Sequence, residues 1–426
     1  MGMGFRTLHP NLQWRLACFF GAGTAQFTTT PYMTIYLVQH FGSVLTGLLL
    51  MASMAMAMVG GMVGGYLTDR LGRRRILIVV EAVMAASYGA MAIASVSPLK
   101  NPAVVLAGFL LVTTLWGVYG PADEAMLLDV TPEGLRPSVY GIFYWMANVT
   151  MGLGTVIGAV TFSRFRPELF GATSITFALV AAVTTLFIQE SAPVSHMTQP
   201  ALSIRAGWRS YGQVFTNRPF VRYLLAGLFM MAIELQLQTQ IPVHLIHVVR
   251  DAQLTIGTWH ISHLNGVEML GILRTENTVM VVLLAGWASK WIASIPSAWL
   301  VLVAVLVNAG GYAVMMAGRL PTGLLIAMFV ATLGEIASVP ARQSLLGSLA
   351  PEDSRGIYIA VHSLNFNAGG ILASLSVSLA VIVNSQVMAG LTFGLGVTAA
   401  LLYWAVLSHA TQFSSASSGP SVRPPS

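Results

Sequence analysis

Apolar stretches separated by short polar breaks fill this chain from end to end. None shows the two-residue alternation of a half-buried strand over its length, and each is long enough to be a helix. About 20 apolar residues span the hydrocarbon core of a bilayer. The pattern predicts spans at approximately 12–39, 44–68, 76–96, 102–129, 138–163, 168–189, 219–247, 265–288, 293–316, 322–349, 356–382 and 387–408. The eighth is interrupted by Arg274 and Glu276. The chain therefore divides into a first set of six spans (1–189), a hydrophilic connection (190–217), a second set (218–410) and a tail (411–426). Within the connection, Leu202-Ser203-Ile204-Arg205-Ala206-Gly207-Trp208-Arg209 mixes apolar and basic residues, as a helix lying on a membrane surface does. The Ser/Pro/Gly-rich residues from Ser414 onward are expected to be disordered.

Composition narrows the class further. Only 8% of the 426 residues are charged, against about 25% in soluble domains, and mean hydropathy is +0.74. Most of the chain is thus expected to face lipid or other helices. The apolar run from Leu16 continues past Tyr36, too long for the core of a cleaved leader, so the first span is expected to be retained. A single cysteine, Cys18, excludes a disulfide framework and a cysteine metal cluster. The net charge of +6 does not mark a nucleic-acid binder, because the cations lie at span ends. No nucleophile–base set, phosphate-cradling loop or dinucleotide fingerprint is present, so neither an enzyme nor a cofactor is expected. With both termini inside, only Lys100, Arg164, Arg166, Arg250, Arg274 and Arg319 of the 21 cations fall outside, which sets the expected orientation in a cell membrane.

The two sets of spans repeat. Pro121-Ala122-Asp123-Glu124 through Thr131-Pro132-Glu133-Gly134-Leu135-Arg136 aligns without gaps on Pro340-Ala341-Arg342-Gln343 through Ala350-Pro351-Glu352-Asp353-Ser354-Arg355, an offset of 219 positions. Asn148 and Asn367 match at the same offset. The expected fold is all-α and transmembrane, twelve helices in two pseudosymmetric six-helix bundles. A substrate site near the midplane between the halves goes with that architecture.

Between the second and third spans lies Gly65-Tyr66-Leu67-Thr68-Asp69-Arg70-Leu71-Gly72-Arg73-Arg74-Arg75. It resembles the G-x-x-x-D-R-x-G-R-R-R/K loop signature of the major facilitator superfamily, with every fixed position at the right spacing. The resemblance extends over about residues 10–410. Gly65 and Gly72 suit close helix approach and a tight turn. Asp69 suits the positive N-terminus of a neighbouring helix. The resemblance implies that Asp69, Arg70 and Arg73 form a latch holding one conformation, and Asp129, at the end of the fourth span, is the acid best placed to pair with the arginines. The second copy, Gly286-Trp287-Ala288-Ser289-Lys290, carries lysine where the aspartate would stand. Val339-Pro340-Ala341-Arg342 and the block after it are similar to the drug/proton antiporter, or multidrug-resistance, branch. The fifth span departs from that branch: at Gly152-Leu153-Gly154-Thr155-Val156-Ile157-Gly158-Ala159 the branch proline is absent.

Acids inside spans are costly unless paired, protonated or wet, so they mark function. Glu234, four residues before Gln238 in the seventh span, Glu335 in the tenth and Glu276 in the eighth are the candidate proton-coupling residues. The plainer reading of each is a structural acid paired with a neighbouring span. Asp123 and Arg342, opposite charges at repeat positions, are the candidate cytoplasmic gate. Gln26, Tyr32, Trp116, Tyr119, Tyr144, Trp145, Asn148 and Gln238 are the candidate cavity lining, with packing an equal alternative for any one aromatic. The 22 methionines suit an adaptable apolar pocket. His244/His247 and His260/His263 have metal-ligand spacing, but a polar outer loop explains them better, and no metal is expected. The resulting expectation is a monomeric secondary transporter that exports lipophilic or cationic small molecules by antiport with protons, in contact with the lipid bilayer. A lysolipid or glycolipid flippase and a non-transporting sensor on a carrier fold are the alternatives.

Overall fold

The computed structural model describes residues 9–132, 135–191, 214–292, 298–351 and 355–417. Nearly all of them are helical. The helices are α1 (Pro10–Leu71), α2 (Arg73–Ile93), α3 (Pro102–Asp129), α4 (Arg136–Thr161), α5 (Arg166–Phe187), α6 (Arg218–Glu234), α7 (Gln240–Val248), α8 (Gly266–Ile292), α9 (Ala298–Ala317), α10 (Pro321–Leu349), α11 (Arg355–Leu379) and α12 (Ser385–Ser417). Among the described residues, nine helical segments are long and apolar enough to cross a membrane. This is therefore a multi-pass membrane protein. The connection around Leu202–Arg209 and the residues after Ser417 lie outside the described residues. The tail begins later than expected, because helix α12 continues to Ser417.

Two elements depart from the span pattern for backbone reasons. Helix α1 runs through the first two predicted spans and is broken only at Gly42, whose φ of 75° and ψ of 165° leave the helical region. An L side chain rarely adopts that conformation, so glycine sets the reversal. The predicted seventh span is interrupted. Helix α6 ends at Glu234, a 3₁₀ turn covers Leu235–Leu237, and α7 starts at Gln240. The freed carbonyls are met by side chains from other helices. Thr34 Oγ1 donates to the Gln238 carbonyl at 2.7 Å, and Arg274 Nη2 donates to the Leu237 carbonyl at 3.2 Å. Inside a membrane such satisfaction is what permits a broken helix. The break also corrects the expectation that Glu234 and Gln238 share a helix face, since the helix stops between them.

Outside the helices, an antiparallel hairpin of β1 (Ala252–Ile256) and β2 (Trp259–Leu264) turns at Gly257. It stands between α7 and α8, at the end of the molecule away from Arg70–Arg75.

Helices α1 to α5 pack on one another, and α6 and α8 to α12 do the same. Where small residues meet, backbones touch. A Cβ at Gly60 would run into the Thr114 carbonyl and one at Gly117 into the Ala57 carbonyl. Gly65 meets nothing within 4 Å, so the close approach expected there falls on its neighbour Gly64, against Val118. Two seams join the groups: α1 to α11, and α4 to α8. At the first, Ser378 Oγ donates to the Val44 carbonyl at 2.9 Å. At the second, a Cβ on Gly152 would stand 3.6 Å from Thr278 Cβ, and one on Gly271 would meet Ala159.

Candidate functional site

Each group of helices holds one guanidinium against two carboxylates within its apolar interior. In the first, Arg15 of α1 donates from Nε to Asp123 of α3 at 2.7 Å and from Nη1 to Glu81 of α2 at 2.9 Å. Its Nη2 donates to the Tyr119 hydroxyl at 2.7 Å and also to Asp123. The side chains of Arg15, Asp123 and Glu81 are 1%, 3% and 0% exposed, so water reaches none of them. Glu81 Oε2 is buried with no hydrogen-bond partner.

In the second group, Arg342 of α10 donates from Nη2 to Glu234 Oε1 at 3.2 Å. Here the side chains are 11% and 19% exposed. Glu335, two turns back along α10, accepts from Asn277 Nδ2 of α8 at 3.0 Å, and Asn277 also donates to Thr332 Oγ1. Glu234, Glu335 and Arg342 interact electrostatically. At the break beside this cluster, Ser376 Oγ donates to Gln236 Oε1 and Thr239 Oγ1 donates to the Ala373 carbonyl. The site thus sits where α6 stops, which exposes Glu234 at a helix end.

The two ion pairs are repeat equivalents with their charges exchanged. Arg15 and Glu234 stand 219 positions apart, and so do Asp123 and Arg342. Asp123 and Arg342, expected to bridge the halves, instead each take a partner within their own group. By its place in the sequence Arg15 is one of the inside cations that set orientation, and Glu81 is an acid inside the third predicted span. Applying the offset of 219 to Glu234 would have found Arg15. Glu81 has no charged equivalent and gave no signal beyond being an acid inside a span.

The signature loop is assembled from three chain segments. Gly72, with φ 91°, turns the chain from α1 into α2. Arg73 Nε lies 2.9 Å from Asp129 Oδ2, the pairing expected from the sequence. Asp129 Oδ2 also accepts from Ser191 Oγ at 2.9 Å. Glu190, placed by sequence in the connection, caps α2: its carboxylate accepts from the backbone N–H groups of Arg73 at 3.0 Å and Arg74 at 3.1 Å. An acid at a helix N-terminus satisfies otherwise unpaired donors and meets the positive end of the dipole. Arg70 lies over the Tyr66 ring. Of Asp69 and Tyr144 only the helical backbone is described.

Several expected lining residues are packed instead. Tyr32 is fully buried and donates to the Thr155 carbonyl at 2.6 Å. Gln26 is buried and accepts from the Tyr88 hydroxyl at 2.7 Å, while Tyr119 is committed to Arg15. Trp116 stacks on Tyr119, half-buried. Trp145 is exposed, and Asn148 and Gln238 are intermediate. Arg274 and Glu276 do not pair. Two residues apart on a helix, they project from opposite sides, and Arg274 turns inward to the Leu237 carbonyl. His260 and His263 take separate partners, Thr255 and Asp251 respectively, on either side of a register irregularity in the hairpin. His244 sits on α7 and bonds to the Gly318 carbonyl.

Comparison with known proteins agrees with this architecture. The family model described as Major Facilitator Superfamily matches residues 15–374. A "Na(+), Li(+), K(+)/H(+) antiporter" of Planococcus maritimus is 28% identical over 387 residues, covering 88% of this chain and 90% of the relative. "Multidrug resistance protein MdtH" of Escherichia coli O1:K1 / APEC is 24% identical over 354 residues, covering 81% and 80%. Among solved structures, a POT family transporter in complex with 5-aminolevulinic acid aligns with a TM-score of 0.72 over 96% of this chain and 99% of that one. Its identity of 12% speaks for the fold alone.

Proposed function

This chain belongs to the Major Facilitator Superfamily, and from that premise we propose that it is a proton-coupled exporter of lipophilic or cationic small molecules. Counting α1 as two spans on either side of Gly42, and α6 with α7 as one, gives twelve spans in two six-span halves. The end bearing Arg70–Arg75 is then cytoplasmic, as are both termini, and the protein works as a monomer in the cell membrane. The halves touch through α1–α11, at Val44 and Ser378 close to the Gly42 turn, and through α4–α8, at Gly152–Thr278 and Ala159–Gly271, which supports a cavity open to the cytoplasm. Rocking of one half on the other would expose the site to the other side.

The observation that carries the reading is the Glu234–Glu335–Arg342 cluster. One guanidinium balances one carboxylate, so the second carboxylate needs a proton or a cationic substrate. A proton and a cation therefore compete for the same negative charge, which is the requirement of antiport. The equivalent cluster around Arg15 is sealed, whereas this one is partly open. Proton exchange is accordingly assigned to Glu234 and Glu335. Asp69 and Arg70 are assigned the latch of the cytoplasm-closed state, with the Arg73–Asp129 pair and Glu190 shaping the loop that presents them.

A second reading follows from the Planococcus maritimus relative, whose name specifies alkali-cation exchange. The same cluster would then accept a metal cation. Everted membrane vesicles separate the two. A proton gradient should drive uptake of a lipophilic cationic dye by the wild type, and Glu234→Gln or a protonophore should abolish it. Dissipation of the gradient by Na⁺, Li⁺ or K⁺ with no dye uptake would replace the first reading by the second. Wild-type dye uptake by Glu234→Gln would remove Glu234 from the mechanism.

A further inference from the structure

Away from the cluster, α4, α8 and α10 enclose a cavity of about 850 Å³ beside the α4–α8 seam. That size is in the range of small-molecule sites. Its walls are apolar: Val156 and Val160 of α4, Ile272 of α8 and Phe329 of α10, with Ile261 of the hairpin at its outer edge. Val160, Val279 and Phe329 are exposed, whereas Tyr32 and Arg274, on the opposite side of the seam, are buried. The cavity therefore opens on the perimeter of the helices, where lipid lies, and not toward the central cluster.

Among the described residues, two acids line it and no cation does. Glu268 is committed to the start of α8, where it accepts from Asn265 N–H at 3.1 Å. Glu276 is different. Its Oε2 is buried with no hydrogen-bond partner, and the nearest arginine in sequence, Arg274, projects the other way. Glu276 lies about ten residues into α8, about 15 Å along the helix. A carboxylate at such depth, facing mostly apolar walls and no cation, is costly without a counter-charge.

We propose that this cavity binds a lipophilic organic monocation, drawn from the bilayer, with its charge against Glu276. The chemistry selects the ligand. A metal ion or small ammonium would lose its hydration shell to a site whose one uncommitted carboxylate is Glu276, since Glu268 is held at the Asn265 N–H and the Thr275 hydroxyl at the Gly271 carbonyl. A cation whose charge is wrapped in apolar groups loses little, fills the volume and lays an aromatic face on Phe329. The walls come from both halves, so an occupant would favour the state in which α4 and α8 are in contact. The inference extends the cation-export reading and rests on it only for what becomes of the bound molecule.

The test reads binding without turnover. Full-length protein in lipid nanodiscs is photolabelled with a diazirine-bearing triphenylphosphonium, and cross-linked residues are mapped by mass spectrometry. A neutral triphenylmethyl probe of the same shape runs in parallel. Cross-links are expected on α4, α8 and α10 around Val160, Glu276 and Phe329. Glu276→Gln should lower their yield by roughly tenfold at sub-saturating probe, the scale of one charge-assisted contact. Glu276→Asp should retain most of it. Equal labelling by the neutral probe, equal yield in Glu276→Gln, or cross-links confined to the neighbourhood of Glu234 would each overturn the proposal. A failed transport assay would leave this site standing, and failed labelling here would leave the transport reading standing.

Discussion

Single side chains carry the largest electrostatic stakes in this protein. Among the described residues, Arg15 is the cation that Glu81 and Asp123 share, and all three are shut away from water. Removing one partner of a buried pair leaves an uncompensated charge, which costs about 3–5 kcal/mol. Arg15→Met should therefore yield little monodisperse protein on size-exclusion chromatography. The neutral triple variant Arg15→Met, Glu81→Gln, Asp123→Asn should recover most of it, because apolar or neutral replacements of whole buried clusters are tolerated. The equivalent Arg342 is partly open, so Arg342→Met should cost less in folded yield and more in transport.

At the scale of elements, glycine decides how close α1 and α3 come. Gly117 faces the Ala57 carbonyl without room for a Cβ. Gly117→Val should force the two helices apart and cut the folded fraction on size exclusion, an overpacking cost of about 1–3 kcal/mol or more. Gly65 has open space around it, so Gly65→Ala should leave that fraction unchanged or raise it, alanine being the better helix former. The loop that follows acts as a unit: Asp129 holds Arg73, and Glu190 holds the start of α2. Asp69→Asn should abolish transport in the vesicle assay while membrane abundance on immunoblots stays near normal. Wild-type turnover would remove the latch.

For the whole molecule, the α4–α8 seam is where alternating access can be tested. A Cβ on Gly152 lies 3.6 Å from Thr278 Cβ, within the range that a disulfide spans. Introduced into Cys18→Ser, the pair Gly152→Cys and Thr278→Cys should cross-link on oxidation. Alternating access then requires that dye uptake stop when the cross-link forms and return on reduction. Uptake that persists with the cross-link complete, read by mass spectrometry, would mean that the α4–α8 seam does not open during transport.

The hydrophobic pattern alone determined that this is a multi-pass helical membrane protein, because lipid permits no other use of such stretches and the period of apolar residues is local. Most helix ends follow for the same reason, and the Gly65–Arg75 signature placed the Arg73–Asp129 pair. The repeat offset relates Asp123 to Arg342 and Arg15 to Glu234, but not which of these residues pair. Partner choice depends on which helices lie side by side, and that is a property of packing rather than of spacing. Hence Arg15 looked like an orientation marker until α1 was seen against α2 and α3, and Glu190 like part of a linker until it met the start of α2. The break after Glu234 was likewise hidden, since its freed carbonyls are stable only where Thr34 and Arg274 reach them from distant helices. Only the tertiary structure turned Arg274 inward and left Glu276 facing an apolar cavity, although the two stand two residues apart in the chain.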